Sequence, residues 1–225
     1  MLKDARNYPD FLQKPQGGLW FPNEITSMAR PTKGDVLAEL ERVGSFEYVL
    51  VVFSGHGVLR ADGATELELR VGQTLGLDQL YLATPGQTLI IDCCRMPEPT
   101  VRAVRAAEEL LKGLPSLRPE ACRKSYEERI ALAGRGRTIM YACSRNQWSY
   151  DNSETGGVYS HSLLSAGNDW VGAQSSPLWG AQSVLSVVQA HDAASPQVQR
   201  HTQGKQIPQI EKPRSGPYFP FCVVA

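Results

Sequence analysis

Two stretches decide the fold: residues 48–57 read YVLVVFSGHG, and residues 88–95 read TLIIDCCR. Each begins with a short run of apolar, mostly β-branched residues without polar alternation, which is typical of a strand buried on both faces. A third run, residues 138–142, reads TIMYA and has the same character. These three runs therefore predict the central strands of a mainly parallel sheet.

The segments around these strands carry helical spacing. Thr32 followed by Asp35 resembles a capping box, and the next four apolar positions form one stripe: Val36, Leu37, Leu40 and Val43. Two further helices are predicted over residues 101–111 and 178–194, and a last strand over residues 218–224, at an edge because Pro220 cannot donate to a ladder. Strands that alternate with helices predict an α/β fold in which helices flank the sheet on both faces.

Length and composition limit the possible functions. The 225 residues fit one domain, and 23 basic residues balance 23 acidic ones, so no global field would attract nucleic acid or an anionic membrane. The longest apolar run, residues 48–53, is far short of a bilayer span, and the first ten residues have no signal-peptide core, which predicts a cytoplasmic location. The five cysteines lack the spacing of a disulfide framework or a zinc site, so we expect reduced thiols, no metal and no cofactor.

Polar residues follow two of the predicted strands at their carboxyl ends, where reacting groups gather in parallel sheets. The first strand runs into Ser54-Gly55-His56-Gly57 and the second into Asp92-Cys93-Cys94-Arg95. A histidine between glycines is accessible, and a thiol at the next strand end can meet it. Taken singly, each has a structural alternative, a turn histidine or a small buried hydrophobe. Together, in this order, they indicate a histidine–cysteine pair.

These residues resemble the caspase and metacaspase superfamily, and the resemblance extends over nearly the whole chain. Further matching motifs are Leu2–Arg6 with Phe11–Leu12, Tyr141–Ser144 with Gln147, Ser149 and Asp151, Gly156–Tyr159, and Gln206–Gln209 with Pro220–Phe221. The resemblance implies a single caspase-like domain over residues 1–225. Within it, residues 1–112 would be large-subunit-like, residues 113–137 a connection, and residues 138–225 small-subunit-like. Two departures are the family's first core strand, which has no counterpart here, and its calcium-binding acids, which are not evident in residues 60–80.

The resemblance also implies the catalytic residues. His56 would activate the thiol of Cys94 and protonate the leaving amine, while the backbone N–H groups of Gly57 and Cys94 would stabilise the oxyanion. Cys93 competes with Cys94 for the role of nucleophile. The family places the reactive thiol directly before Arg95, and adjacent side chains of a strand point to opposite faces, so Cys94 is preferred.

Specificity is predicted to depend on Asp92. Caspases recognise a substrate aspartate through basic residues, whereas metacaspase-like enzymes have an acid at this position and recognise arginine or lysine. The reason is that a carboxylate attracts a cation and repels an acid. Residue matching adds Asp4 and Ser54 to the pocket, and Ser144 and Asp151 to substrate binding; the alternative for Asp4 is a solvated helix position. Arg145 is a basic residue like those with which caspases bind aspartate, and it favours an aspartate specificity instead. Trp148 and Tyr150 either wall a peptide groove or pack as ordinary loop residues.

The predicted function is a cysteine endopeptidase that cleaves protein or peptide substrates after exposed arginine or lysine. One alternative is a non-catalytic caspase-like scaffold that binds a partner through the same groove, and another is a thiol hydrolase that acts on a non-peptide amide. Bacterial relatives suggest a stress or anti-phage role with a regulatory or sensor partner. The basic segment Lys112–Arg137 is predicted to be an exposed connection that the enzyme cuts itself, with a cleavage-resistant helix over Glu120–Ala133 as the alternative.

Overall fold

The computed structural model describes residues 3–97, 117–174 and 184–225. The described helices are α1 (Asp4–Leu12), α2 (Lys33–Val43), α3 (Pro119–Leu132), α4 (Val158–Gly172) and α5 (Val187–His201). The described strands are β1 (Tyr48–Ser54), β2 (His56–Leu59), β3 (Thr65–Arg70), β4 (Gln73–Gly76), β5 (Gly86–Asp92), β6 (Gly136–Tyr141), β7 (Asp151–Asn152), β8 (Gly156–Gly157), β9 (Val184–Ser186), β10 (Gln209–Glu211) and β11 (Pro220–Val223).

The central sheet has the order β1-β5-β6-β10. The strands β1, β5 and β6 are parallel, whereas β10 runs antiparallel to β6. The register places Ser54 opposite Asp92 at the carboxyl ends of β1 and β5. The predicted α/β architecture with a mainly parallel sheet is confirmed, and its strand ends bring the two quoted stretches together.

Each face of the sheet has its own apolar cluster. On one face, α1, α4 and α5 pack against inward residues such as Ile90 and Met140. On the other face, Leu40 of α2 and the three-stranded sheet β2-β3-β4 cover Leu89 and Ile91. Alternate residues of adjacent strands thus enter opposite layers, which is why every residue of β5 is buried.

The predicted start of α2 is confirmed, because the Thr32 side chain accepts from Asp35 N and the Asp35 carboxylate accepts from Thr32 N. These two bonds satisfy backbone donors that the first turn of a helix leaves open. The helix predicted over residues 178–194 is wrong at its start. Residues 184–186 form strand β9, and α5 begins at Val187, where Ser186 caps it. Residues 178–183 and the helix predicted over residues 101–111 lie outside the described residues.

Within its described part, residues 117–137, the basic connection folds mostly as α3, which corresponds to the helical alternative of the sequence analysis. Cys122 and Tyr126 of this helix pack against Val223 and Ala225, so its inner face belongs to a third apolar cluster. The last predicted strand is β11, which pairs antiparallel with β9 and not with the central sheet. Pro220 occupies its first position, where a missing N–H is tolerated. Across the described ranges, no helix combines the length and apolarity that crossing a membrane requires.

Candidate active site

The start of β2, which carries His56, lies directly against the segment that carries Cys94. Gly55 N donates to the carbonyl oxygen of Asp92 over 3.1 Å. A Cβ built on Gly57 would lie 2.4 Å from the sulfur of Cys93 and 2.9 Å from the carbonyl oxygen of Cys94, so only glycine permits this approach. His56 therefore lies between two glycines that both contact the cysteine segment.

The thiol of Cys94 is held by the backbone of Ser149. Ser149 N donates to the Cys94 sulfur over 3.4 Å, and the sulfur lies 3.4 Å from the carbonyl oxygen of Ser149. Burial raises the pKa of the Cys94 thiol, and the bond from Ser149 N opposes that rise. The raised pKa favours the protonated thiol over the thiolate. Its neighbour Cys93 is only 1 % exposed, and burial raises its pKa well above the ordinary value.

Two buried carboxylates lie close to each other, and one of them, Asp92, is linked to this thiol through Ser149. Asp92 ends β5 and is 4 % exposed, while Asp4 begins α1 and is 1 % exposed. The Ser54 hydroxyl donates to Asp4 Oδ2 over 2.6 Å. Both Ser160 N and the Ser160 hydroxyl donate to Asp92 Oδ2, over 3.0 and 2.7 Å. Hydroxyl and backbone donors therefore hold two acids together in a region that water scarcely reaches.

The hairpin β7-β8 covers these acids with glycine backbone. Gly157 N donates to both oxygens of Asp4, over 3.2 and 3.1 Å. A Cβ on Gly156 would lie 2.2 Å from Asp4 Oδ1, and a Cβ on Gly157 would lie 2.2 Å from Asp92 Oδ2. Gly156 also has a φ of +93°, which side chains rarely adopt. A side chain at either position of β8 would collide with a carboxylate, so both positions require glycine.

The charge of Asp4 affects the ionisation of Asp92. Burial, and next the charge of Asp4, raise the pKa of Asp92 to about 6, and the donors from Ser149 and Ser160 oppose this rise. Tyr8 of α1 is buried close by, and burial raises its pKa well above the ordinary value. A buried carboxylate of this kind favours a cation as its ligand, because a cation stabilises the ionised form.

Known proteins are similar to this chain in sequence and in fold. A family model described as the caspase domain matches residues 3–218. The chain belongs to the caspase-domain family. It is accordingly a cysteine-type peptidase. The crystal structure of caspase-1 from Spodoptera frugiperda is similar with a TM-score of 0.56 and 13 % identity, over 94 % of this chain and 77 % of that chain, so this likeness concerns the fold. A search of curated proteins finds no match.

In this caspase-domain protein, the other expected substrate-binding residues lie around the same loop. Asp151 begins β7 and stands opposite Gly157, the glycine that covers Asp92. Ser144 follows β6, and its hydroxyl donates to the carbonyl oxygen of Ile207 over 3.0 Å. This hydroxyl thus bonds to the chain after α5 and not to the acids. Arg145 is exposed and its guanidinium lies beside Gly63, in the turn between β2 and β3.

The loop aromatics and the remaining histidines have structural surroundings. Tyr150 is buried in the core, and Trp148 packs against that cluster. Of the two alternatives for Tyr150, a peptide groove or ordinary loop packing, the structure shows packing. His191 is buried, and its Nδ1 lies 2.7 Å from the hydroxyl of Tyr159. His161 lies on α4, and His201 ends α5.

Three residues at this site were not singled out from the sequence: Ser149, Ser160 and Gln206. Ser149 stood inside a matching motif, but its spacing could not show that its hydroxyl reaches Asp92. Gln206 also stood in a matching motif, and it is fully buried, with its side chain bonded to Ala142 O and Tyr150 N. The sequence gives no sign that Gln206 is buried, and its role is visible only from its hydrogen bonds in the fold.

Proposed function

We propose that this caspase-domain protein is an endopeptidase that cleaves after arginine or lysine, with His56 and Cys94 as its catalytic dyad. The observation that carries the proposal is the pair of buried carboxylates, Asp4 and Asp92, of which Asp92 is linked to the Cys94 thiol through Ser149. Buried acids are costly unless a cation or several donors compensate them. A substrate guanidinium or ammonium supplies that cation at the point where the peptide must be held.

The charges explain the expected selectivity. A guanidinium beside Asp92 stabilises the ionised form of this acid, so binding and ionisation favour each other. A substrate aspartate would add a third carboxylate to two that already repel each other. The guanidinium of Arg145, the basic residue in the caspase style, lies at the turn between β2 and β3. These positions support a pocket for basic side chains.

The dyad would work as follows. His56 removes the proton of the Cys94 thiol, and the sulfur attacks the carbonyl carbon of the peptide. The oxyanion accepts from the N–H groups of Gly57 and Cys94, and one such donor is worth about 3–4 kcal/mol of barrier. The imidazolium then protonates the leaving amine, and water, deprotonated by His56, hydrolyses the thioester. The raised pKa of Cys94 makes this base necessary.

Self-processing belongs to the same proposal. Within the described residues of the connection, α3 holds Arg123 in bonds to Glu24 of 2.7 and 2.8 Å, and these hold it in place. Arg135 is instead exposed, between the end of α3 and the start of β6. A protease binds an extended chain, so Arg135 is the better substrate of the two. We also propose, from the resemblance alone, that the enzyme acts in a stress or anti-phage response under a regulatory or sensor partner.

A panel of four reporter peptides tests the proposed function. The peptides are identical except that arginine, lysine, citrulline or aspartate precedes the scissile bond. The purified protein should release product from the arginine and lysine peptides, with weak turnover of the neutral citrulline peptide. The Cys94→Ala variant measures background cleavage. Preference for aspartate, or equal turnover in Cys94→Ala, would refute the proposal.

A further inference from the structure

Ser149 contacts both the thiol of Cys94 and the carboxylate of Asp92. Its backbone N–H donates to the Cys94 sulfur over 3.4 Å, and its hydroxyl donates to Asp92 Oδ1 over 2.6 Å. The two bonds leave one residue in different directions, toward the nucleophile and toward the acid. A shift of this loop therefore alters both groups together.

The two oxygens of Asp92 have separate partners. Ser160 supplies both donors to Oδ2 from the start of α4, whereas Ser149 supplies the bond to Oδ1. Ser160 belongs to a helix and is fully buried, so its bonds are fixed by the core. Ser149 belongs to a loop and is half-buried. The bond from Ser149 thus depends on how this loop is held.

Gln206 fixes this loop from a distant segment of the chain. Its Nε2 donates to Ala142 O over 2.9 Å and lies 3.5 Å from the Ser149 hydroxyl, while its Oε1 accepts from Tyr150 N over 3.0 Å. The side chain thus bridges the end of β6 and the loop. Thr202 at the end of α5 accepts from Gln206 N over 3.2 Å, which anchors the bridge itself.

We infer that Ser149 is a specificity-determining residue that couples the substrate-binding acid to the nucleophile, and that Gln206 is the positioning residue that holds Ser149 in place. This inference rests on the proposed function, because it assigns Asp92 to the recognition of a basic side chain. Ser149 acts on arginine recognition through its hydroxyl. Gln206 acts on every substrate, because it places the backbone N–H that meets Cys94.

The consequence for pH dependence follows from the groups that face Asp92. The titratable groups coupled to it come from α1, β5 and its end, the loop after β6, and α4: Asp4, Tyr8, Cys93, Cys94, Cys143 and Tyr159. The Ser149 hydroxyl stabilises the ionised form of Asp92. Removing it favours the protonated acid, so arginine recognition should need a higher pH.

The first experiment measures the ratio of kcat/KM for an arginine reporter to that for the citrulline reporter, as a function of pH. Ionisation of His56 and Cys94 affects the turnover of both peptides equally, so its effect cancels in the ratio. For the wild type, its midpoint is expected near 6. Ser149→Ala should move the midpoint upward by about one pH unit, and Ser149→Thr, which keeps the hydroxyl, should restore it. Ser195→Ala, on the far half of α5, is the matched control and should leave the profile unchanged.

The second experiment needs no turnover. Alkylation of Cys94 by iodoacetamide, followed by peptide mapping, gives the pH midpoint of thiol reactivity. Gln206→Ala should raise this midpoint, because it loosens the Ser149 N–H that favours the thiolate, and should reduce kcat for both reporters. An unchanged ratio midpoint in Ser149→Ala overturns the role of Ser149, and an unchanged alkylation midpoint in Gln206→Ala overturns that of Gln206. A wild type that cleaves neither reporter would refute the proposed function, while the alkylation result would still test Gln206.

Discussion

The sulfur of Cys93 fills the space in front of Gly57, at a distance of 2.4 Å from where a Cβ of that residue would lie. Cys93 is therefore a packing residue, buried between the histidine turn and the sheet, whereas Cys94 is partly exposed and bonded to Ser149. This division distinguishes the two adjacent thiols.

The first prediction concerns the nucleophile. Cys94→Ala and His56→Ala should each reduce kcat/KM for the arginine reporter by about 10²-fold or more, the loss typical of a missing nucleophile or proton-transfer group. Cys93→Ala should retain substantial activity, because it removes only a buried sulfur. Steady-state kinetics on folded variants check this. Equal losses in the Cys93 and Cys94 variants would move the assignment away from Cys94.

The second prediction concerns the charge of Asp92. Asp92→Asn should reduce turnover of the arginine reporter by about 30-fold or more relative to the citrulline reporter, since the loss of one partner of a desolvated charge pair costs about 2–5 kcal/mol. The measurement is the ratio of the two kcat/KM values, taken at a pH well above the midpoint of Asp92. Arg145→Gln serves as the control and should leave this ratio in place. If Arg145→Gln changes the ratio and Asp92→Asn does not, the caspase-style interpretation of Arg145 is the correct one.

The third prediction is that the same substitution stabilises the fold at neutral pH. The pKa of Asp92 is raised from 3.8 to about 6, so the folded state favours the protonated acid. The resulting stabilisation is complete below about pH 4 and is lost as the pH rises through about 6, which amounts to up to about 3 kcal/mol. Asparagine avoids this loss and can still accept from Ser160. Urea unfolding should therefore show Asp92→Asn gaining over the wild type between about pH 4 and 6, and a difference independent of pH would contradict the cause.

The fourth prediction concerns His191. Burial lowers the pKa of His191 from 6.5 to about 4, so the folded state favours the neutral ring. The associated stability is complete above about pH 6.5 and is lost as the pH falls toward about 4, by up to about 3 kcal/mol. His191→Gln should flatten the dependence of the unfolding free energy on pH in this window. Equal slopes in His191→Gln and the wild type would disprove the assignment.

The fifth prediction concerns processing. Mass spectrometry of the incubated enzyme should find new termini outside Pro119–Leu132, among them a cut after the exposed Arg135, because α3 packs its inner face and fixes Arg123. Arg135→Gln should remove the cut at that residue, and Cys94→Ala should remove all cuts. Cleavage inside α3 would show that this helix opens. A single intact mass from an enzyme that turns over the arginine reporter would show that activity needs no cut in the described residues of the connection.

The central strands could be predicted from the sequence because β1, β5 and β6 are continuous apolar runs. Strand β10 escaped prediction, since its residues are mostly exposed and its pairing with β6 depends on a distant segment. Strand β3 was not predicted either, although its residues alternate between buried and more exposed positions, with Thr65, Leu67 and Leu69 buried. Its pattern could have been recognised by its period of two residues.

The proximity of the acids in the site could be predicted only through the resemblance. Nothing local in the sequence says that Asp4 meets Ser54, because their contact depends on how α1 packs on the sheet. The bond from Ser149 to Asp92 spans 57 positions and is a product of tertiary structure. Strand periodicity specifies which face a residue occupies, but not which loop covers it.

Helix α1 places Asp4, its first residue, next to Asp92. The other end of the helix is held by the stacking of Phe11 on Phe221, at a ring separation of 5.3 Å. The proposed catalytic residues, by contrast, lie at the start of β2 and just after the end of β5. One of the two acids of the proposed pocket thus belongs to an element that is separate in sequence from the strands beside His56 and Cys94. A substitution at Asp4 would change the charge of the pocket without touching either of these residues, so substrate choice can evolve in part independently of bond cleavage.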